Sequence, residues 1–252
     1  MTQEFAGLAA IVTGGSRGIG LAVARMLAER GADLVLVARD RQRLAAVSAE
    51  IAASTGRRVL AVDGDAAEAE TARRAVDSAQ SRLGRLDILA NIAGWYPTAL
   101  VEHTSDHAFH ETIASNLTAT FVMCRAALPA LRDNGGVVVN MSSTAARFPT
   151  PGLAAYSASK AGIEGFTRAF AAEAAPHVRV NALSAGPTLT ESVRDLMDTD
   201  TTGAVAAVTA ALPLGRFARP EDIAEAVLFL ASRRSSVITG QVLQANCGGH
   251  MA

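Results

Sequence analysis

The sequence predicts an α/β fold, a doubly wound parallel sheet forming one domain over residues 1–252. Three observations predict it. Short β-branched runs alternate with longer amphipathic stretches, the order that β-α-β units require. The short runs are apolar throughout rather than alternating, as in strands covered on both faces. The first of them leads straight into a glycine-rich turn, Thr13-Gly14-Gly15-Ser16-Arg17-Gly18-Ile19-Gly20, and a helical pattern follows.

Taken in order, the first strand is expected at 9–12 and its helix at 18–30, stopped by Gly31. A second strand at 34–37 precedes a helix at 41–54, which ends near Gly56. The third strand, 59–62, is followed by a helix over 67–83, and the fourth strand falls at 86–90. One long helix is expected from about 106 to 133, then a fifth strand at 137–141. A helix over 154–175, a sixth strand at 178–183, a late helix at 221–232 and a last strand at 241–243 complete the pattern. Right-handed crossovers between such strands yield the doubly wound arrangement. No repeat or low-complexity block divides the chain.

The whole-chain numbers agree with that reading. At 252 residues and 50% apolar, the chain is near the upper limit for one core and can cover both faces of a sheet. The net charge of −1 gives no bulk attraction to nucleic acid or a membrane surface. Cys124 and Cys247 fit no metal-ligand spacing and read as unpaired thiols in a reducing compartment. The N-terminus carries no basic and apolar signal pattern, and runs such as 34–38 are too short to span a bilayer. The expectation is a soluble, cytoplasmic protein.

The glycine turn is the first chemical signal. Its spacing is Gly14-x3-Gly18-x-Gly20. Gly14 permits a tight turn, Gly18 lets backbone approach a pyrophosphate, and Gly20 lets the helix pack close to the sheet. The anion would rest on free N–H groups at the helix N-terminus, contributed by Ser16, Arg17, Gly18 and Ile19. This is the Rossmann-like way of holding a dinucleotide. The second strand ends Val37-Ala38-Arg39-Asp40. Arg39 with Arg17 would clamp a 2′-phosphate by charge-assisted bonds, which argues for NADP(H). The alternative makes Asp40 a ribose ligand, as in NAD sites, with Arg39 and Arg41 simply solvated.

The second signal is polar. Tyr156 and Lys160 stand four apart, on one face of a helix. An ammonium beside a phenol favours the phenolate. Ser143, just past the fifth strand, is placed to hold a substrate oxygen beside the Tyr hydroxyl.

With these motifs the chain resembles the short-chain dehydrogenase/reductase family in its compact single-domain branch. The resemblance runs from Gly7 to about Gly249. It rests on the glycine turn, Asn91-Ile92-Ala93-Gly94, Asn116, Ser143, Tyr156 with Lys160, and the stretch from Asn181 to Thr190. It implies that Tyr156 is the general acid in reduction and that Ser143 polarises the carbonyl. Lys160 would bind the nicotinamide ribose and support Tyr156, and Asn116 would help to hold a water that links Lys160 to solvent. It further implies that Asp65 and the backbone of Ala66 hold the adenine, and that Asn91 and Gly94 line the cofactor. Gly186, Thr188 and Thr190 would meet the carboxamide or the phosphates. Three positions depart from the family pattern: Ile92 for a second Asn, Ala185 for Pro, and Asn246-Cys247-Gly248 for Asp-Gly-Gly.

The substrate is expected to be a small ketone or alcohol, apolar or aromatic. The same resemblance draws the pocket from Trp95, Tyr96, Phe148, Leu153 and the segment 189–212. Packing or subunit contact is the alternative role for Trp95 and Phe148. The C-terminal portion, from Pro213-Leu214-Gly215-Arg216-Phe217 to Ile238-Thr239-Gly240, is similar to 3-oxoacyl-carrier-protein reductases. Those enzymes carry basic residues for an acidic carrier where this chain has Asp133-Asn134-Gly135 and Ala175-Pro176-His177, with Arg132 the nearby cation. The difference weighs toward a free ketone. An NAD-dependent alcohol dehydrogenase and a non-catalytic dinucleotide sensor are the other readings, and the intact Tyr156 and Lys160 weigh against the sensor. His103, His107 and His110 share a helix face, but no metal is expected. Small residues on the helices at 106–133 and 154–175, including Ala161, Gly162, Gly165, Ala169, Ala171 and Ala172, suggest close helix contact between copies. A homotetramer is expected, by analogy with the family, with a dimer as the alternative, although some of these residues would seat the helix on its own sheet.

Overall fold

The computed structural model describes residues 3–251. Seven strands pair in parallel: β1 (Ala9–Thr13), β2 (Asp33–Ala38), β3 (Val59–Asp63), β4 (Ile88–Asn91), β5 (Val137–Ser143), β6 (Arg179–Ala185) and β7 (Val242–Ala245). Their order across the sheet is β3-β2-β1-β4-β5-β6-β7. The winding therefore reverses at β1, whose last residue Thr13 is in register with Asn91, the last of β4. In doubly wound sheets the crevice beyond the strand ends at such a reversal is where ligands bind.

Each strand is apolar on both sides because both sides are covered. Val12, Leu34, Leu36 and Val139 pack with α1 (Gly18–Glu29) and α9 (Pro220–Ala231), through Leu27, Ile223 and Val227. Ile11, Val35, Leu89 and Val138 point the other way, toward Ala72, Met123 and Phe170. Those three belong to α3 (Ala69–Ser78), α5 (Ala119–Asn134) and α6 (Ala154–Ala174). Each such Leu or Val, fully buried, contributes roughly 1.5–3 kcal/mol. α2 (Arg41–Thr55) starts where the Asp40 carboxylate accepts the Arg43 N–H at 3.0 Å, and it stops at Gly56 in the left-handed region.

Two expected helices differ in detail. The helix over 67–83 is α3 followed by a π-turn at Ala79–Leu83. The long helix over 106–133 is α4 (Asp106–Ile113), a π-turn at Ala114–Thr118, then α5. The segment 189–212, expected only to line a pocket, folds into α7 (Glu191–Thr199) and α8 (Ala204–Ala211). Thr190 stands at the N-terminus of α7. Asp200 accepts the N–H groups of Thr202 and Val205 and so turns the chain into α8. No helix among the described residues is long and apolar enough to cross a membrane.

Candidate active site

The glycine turn leaves β1 at the winding reversal. Gly14 and Gly18 have φ of +68° and +54°, a region costly to residues with a β-carbon. Gly20 is required for a different reason: a β-carbon there would lie 2.2 Å from the Gly14 carbonyl oxygen. The turn thus folds back on the first helical residues. Arg17 supplies no side-chain cap to α1, and no acidic residue stands in its first turn. The leading N–H groups lack intrahelical partners, so the cradle suits an anion. Ser16 is buried beneath it.

Thr13 fastens the next loop to this turn. Its Oγ1 accepts the N–H groups of Ile92 and Ala93, each at 3.0 Å. A β-carbon on Gly14 would come 3.0 Å from the Ala93 Cα, so the two loops touch. The segment after β6 closes the third side. Thr188 donates its hydroxyl to the Gly186 carbonyl, and the Thr190 methyl lies 3.4 Å from where a Gly18 β-carbon would stand. Gly186 itself packs on Asn246, at 2.7 Å from an added β-carbon. Ile92, in the place of the family's Asn, packs on the core, and Cys247 adopts φ +54° where the family has Gly.

Just past β3, Asp65 accepts the Ala67 N–H at 2.9 Å, and Ala66 is buried next to it. Arg17 and Arg39 are both exposed, and among the described residues neither is in an ion pair. Asp40 is occupied in capping α2. Asn91 directs its amide nitrogen to Asn140 Oδ1 at 2.9 Å and to Cys124 Sγ, under α5. Its contact is with the sheet and α5, and its Oδ1 has no partner.

The polar set assembles on the other side of the β4 loop. Tyr156 and Lys160 project from α6, and Lys160 Nζ lies 5.4 Å from the Tyr156 ring centroid. Lys160 is buried, with Nζ donating to the Met141 carbonyl at 2.9 Å. Burial lowers its pKa to about 7. Burial also pushes the half-buried Tyr156 phenol up to about 12, a hydrogen bond with Ser143 pulls it down, and the nearby Tyr96 pushes it up. Ser143, the last residue of β5, also accepts the Ala145 N–H.

Asn116 lies in the π-turn, an irregularity found often at functional sites. Its Nδ2 donates to the carbonyls of Trp95 and Thr112, at 2.8 and 2.9 Å, and its buried Oδ1 has no partner. Gly94 joins these groups: a β-carbon there would stand 2.6 Å from Asn116 Oδ1 and 3.4 Å from Lys160 Nζ. Asn116, Ser143, Tyr156 and Lys160, far apart in sequence, thus surround one end of the crevice. The glycine cradle and the free Arg17 and Arg39 border the other. The residues fit a nicotinamide dinucleotide.

Of the expected pocket residues, Tyr96 lies beside Tyr156, with ring centroids 5.6 Å apart. Trp95 and Tyr96 are 41% and 46% exposed. Leu153 stands at the start of α6, and the Ala99 N–H meets the Gly152 carbonyl, so the two loops run together. Phe148 stands 53% exposed on its loop, and among the described residues it makes no ring contact with this cluster. His103 and His107 approach Glu102 and Glu111 on an exposed surface.

Sequence reasoning missed Thr13 and Arg43. A hydroxyl at a strand end facing a glycine turn is a usable signal for the first. Arg43 carries none, since it reads as a solvated helix residue. In the fold its Nε donates to the Ser16 carbonyl at 3.1 Å and its guanidinium pairs with Glu191 at the start of α7.

A family model described as enoyl-(acyl carrier protein) reductase matches residues 14–250. Carbonyl reductase family member 4 of Danio rerio is 35% identical over 95% of this chain and 96% of its own. The 3-oxoacyl-[acyl-carrier-protein] reductase FabG of Chlamydia muridarum is 34% identical, with the same coverage. The solved structure of L-sorbose reductase from Gluconobacter frateurii, complexed with NADPH and L-sorbose, superimposes with a TM-score of 0.92. It is 29% identical, and the match covers 100% of both chains.

Proposed function

The chain belongs to the short-chain dehydrogenase/reductase family and is an NAD(P)-dependent oxidoreductase, and from that premise we propose that it is an NADP(H)-dependent carbonyl reductase. Its substrates in this reading are small apolar or aromatic ketones and the matching alcohols. The observation that carries the reading is the Tyr156–Lys160 pair beside Ser143, at the end of the crevice opposite two unpaired arginines.

The cofactor would lie on the glycine turn, between Asp65 and Ala66, Asn91 and Gly94, and Gly186 to Thr190, with Arg17 and Arg39 on its 2′-phosphate. When bound, the nicotinamide supplies or accepts the hydride. The residues of the chain handle the oxygen. Ser143 Oγ holds the carbonyl oxygen and polarises it. Tyr156 donates the proton that the developing alkoxide needs, and takes it back in oxidation. With its pKa raised to about 12 by burial, the phenol is protonated at neutral pH and has a proton to give. Lys160 supports the phenolate once formed. With a pKa near 7 it titrates in the working range, so it can pass the proton outward past Asn116.

Arg39 favours NADP(H) because Asp40, the rival ribose ligand, already caps α2. A free ketone is favoured over a carrier-bound one. Arg132, the cation at the expected carrier site, is turned onto the Glu173 carbonyl at 3.1 Å. The similarity to a 3-oxoacyl-carrier-protein reductase keeps that second reading in play. A homotetramer in the cytoplasm completes the proposal. Ala161, Ala169 and Ala172 are exposed on α6, with Phe121 42% exposed on the neighbouring α5, which is a surface suited to a second copy. Gly162 serves its own chain instead, since an added β-carbon would strike Leu117 at 2.8 Å.

The test is a cofactor-consumption screen of aliphatic and aromatic ketones with NADPH and with NADH, on the wild type and Arg39→Ala. The reading expects NADPH turnover. It also expects Arg39→Ala to weaken NADPH by the worth of a charge-assisted bond, about 1.5–3 kcal/mol, and NADH little. Equal weakening of both would remove Arg39 from the phosphate.

A further inference from the structure

Glu164 takes no part in the chemistry just described, yet it is a carboxylate only 4% exposed, on α6 one turn beyond Lys160. Burying a carboxylate is costly unless it is paired and hydrogen-bonded. Both oxygens of Glu164 are engaged. Oε1 accepts the Ser142 hydroxyl at 3.0 Å, and Oε2 accepts Arg147 Nε at 2.8 Å. Ser142 immediately precedes Ser143. Arg147 ends the 3-10 turn, Thr144–Ala146, that follows Ser143. One buried carboxylate therefore ties down the segment on either side of Ser143.

The sheet holds Ser142 and Ser143, paired with Ser184 and Ala185, but not the turn that follows them. Ser143 forms the last pair of β5 with β6, opposite Ala185, and the chain then leaves the ladder. Beyond this point the local bonds are those of the turn, the N–H groups of Arg147 and Phe148 to the Thr144 carbonyl. The Glu164–Arg147 pair attaches the turn to α6, the helix that presents Tyr156 and Lys160. Ser142 Oγ lies 3.4 Å from the Lys160 carbonyl, which brings the same stretch of α6 against the β5 end.

We propose that Glu164 is a positioning residue that sets Ser143 Oγ against Tyr156 through Ser142 and Arg147. The inference rests on the role given to Ser143 above. It predicts an effect on turnover rather than on binding, because Ser143 holds the oxygen that is charged only as reaction proceeds. A misplacement of about 1 Å costs on the order of 10²-fold.

The experiment compares wild type with Ser143→Ala, Glu164→Gln, Arg147→Ala and the double variant Ser143→Ala/Glu164→Gln. The substrates are NADPH and the most rapidly reduced ketone of the screen. Glu164→Gln should lower kcat by roughly 10- to 100-fold with the KM for NADPH changed less than about twofold. In the Ser143→Ala background it should lower kcat no further. Arg147→Ala, on the more exposed partner, should act in the same direction and carries the test if Glu164→Gln does not fold. Wild-type kcat in both Glu164→Gln and Arg147→Ala overturns the proposal, as does a Glu164→Gln penalty that multiplies with that of Ser143→Ala. Wild-type kcat in Ser143→Ala itself overturns the reading of Ser143 and this inference with it.

Discussion

Lys160 Nζ lies over the ring of Tyr156, 5.4 Å from its centroid, and gives its hydrogen bond to the Met141 carbonyl behind it. The lysine is therefore held from the sheet side, with no carboxylate paired to it among the described residues. Its burial lowers its pKa to about 7, while burial raises that of Tyr156 to about 12. Two groups meant to share a proton are both pushed toward their neutral forms.

This has a consequence for stability. The folded pKa of Lys160 lies below its ordinary value of 10.5. Between about pH 7 and 10.5 the unfolded chain binds more protons, so the lysine makes stability rise with pH across that window. Tyr156 acts with the opposite sign, and only between about pH 10 and 12. Lys160→Met removes the first effect and keeps the second. The variant should exceed the wild type in stability by a few kcal/mol below pH 7, and by progressively less toward pH 10, while losing activity. Urea unfolding of both proteins at pH 6 and pH 9 measures this. A difference that does not change between those pH values would remove the buried charge from the account.

Gly94 offers a steric test of the same cluster. An added methyl would meet Asn116 Oδ1 at 2.6 Å and Lys160 Nζ at 3.4 Å. Gly94→Ala lies on an exposed loop, so the thermal midpoint should change little. Turnover should fall by at least about tenfold, because the lysine and the Asn116 amide must move apart. Unchanged turnover in Gly94→Ala would mean that this spacing is not used.

Arg43 joins the glycine turn, through Ser16, to Glu191 on α7. Exposed ion pairs contribute about 0–1 kcal/mol. Arg43→Ala should therefore weaken NADPH and NADH alike, by no more than about fivefold, unlike the selective loss expected of Arg39→Ala. Quenching of Trp95, the single tryptophan, provides the titration signal. A loss confined to NADPH would make Arg43 a phosphate ligand instead.

The sheet was legible because its strands are uniformly apolar and its turns carry glycine. Val12, Val35 and Leu89 announce buried strands, and the spacing of Gly14, Gly18 and Gly20 announces the cradle. The order of Ser143, Tyr156 and Lys160 announced the polar set. Other features are tertiary and had no local mark. The π-turn around Asn116 leaves the helical periodicity of 106–133 almost intact. The short polar α7 and alanine-rich α8 lack the buried stripe that marks a helix in sequence. Glu164 carries no local mark of its burial, since nothing near it in the chain foretells Ser142 arriving from β5 and Arg147 from the turn after it.

The most direct test of the central claim is the turnover of Tyr156→Phe. The variant removes one hydroxyl and keeps the ring that packs on Tyr96 and Lys160. NADPH binding, followed by Trp95 quenching, should stay within about twofold of wild type, while kcat for ketone reduction should fall by about 10²–10⁴-fold. A Tyr156→Phe enzyme that binds NADPH and keeps most of its rate would contradict the assignment of Tyr156 as the proton donor.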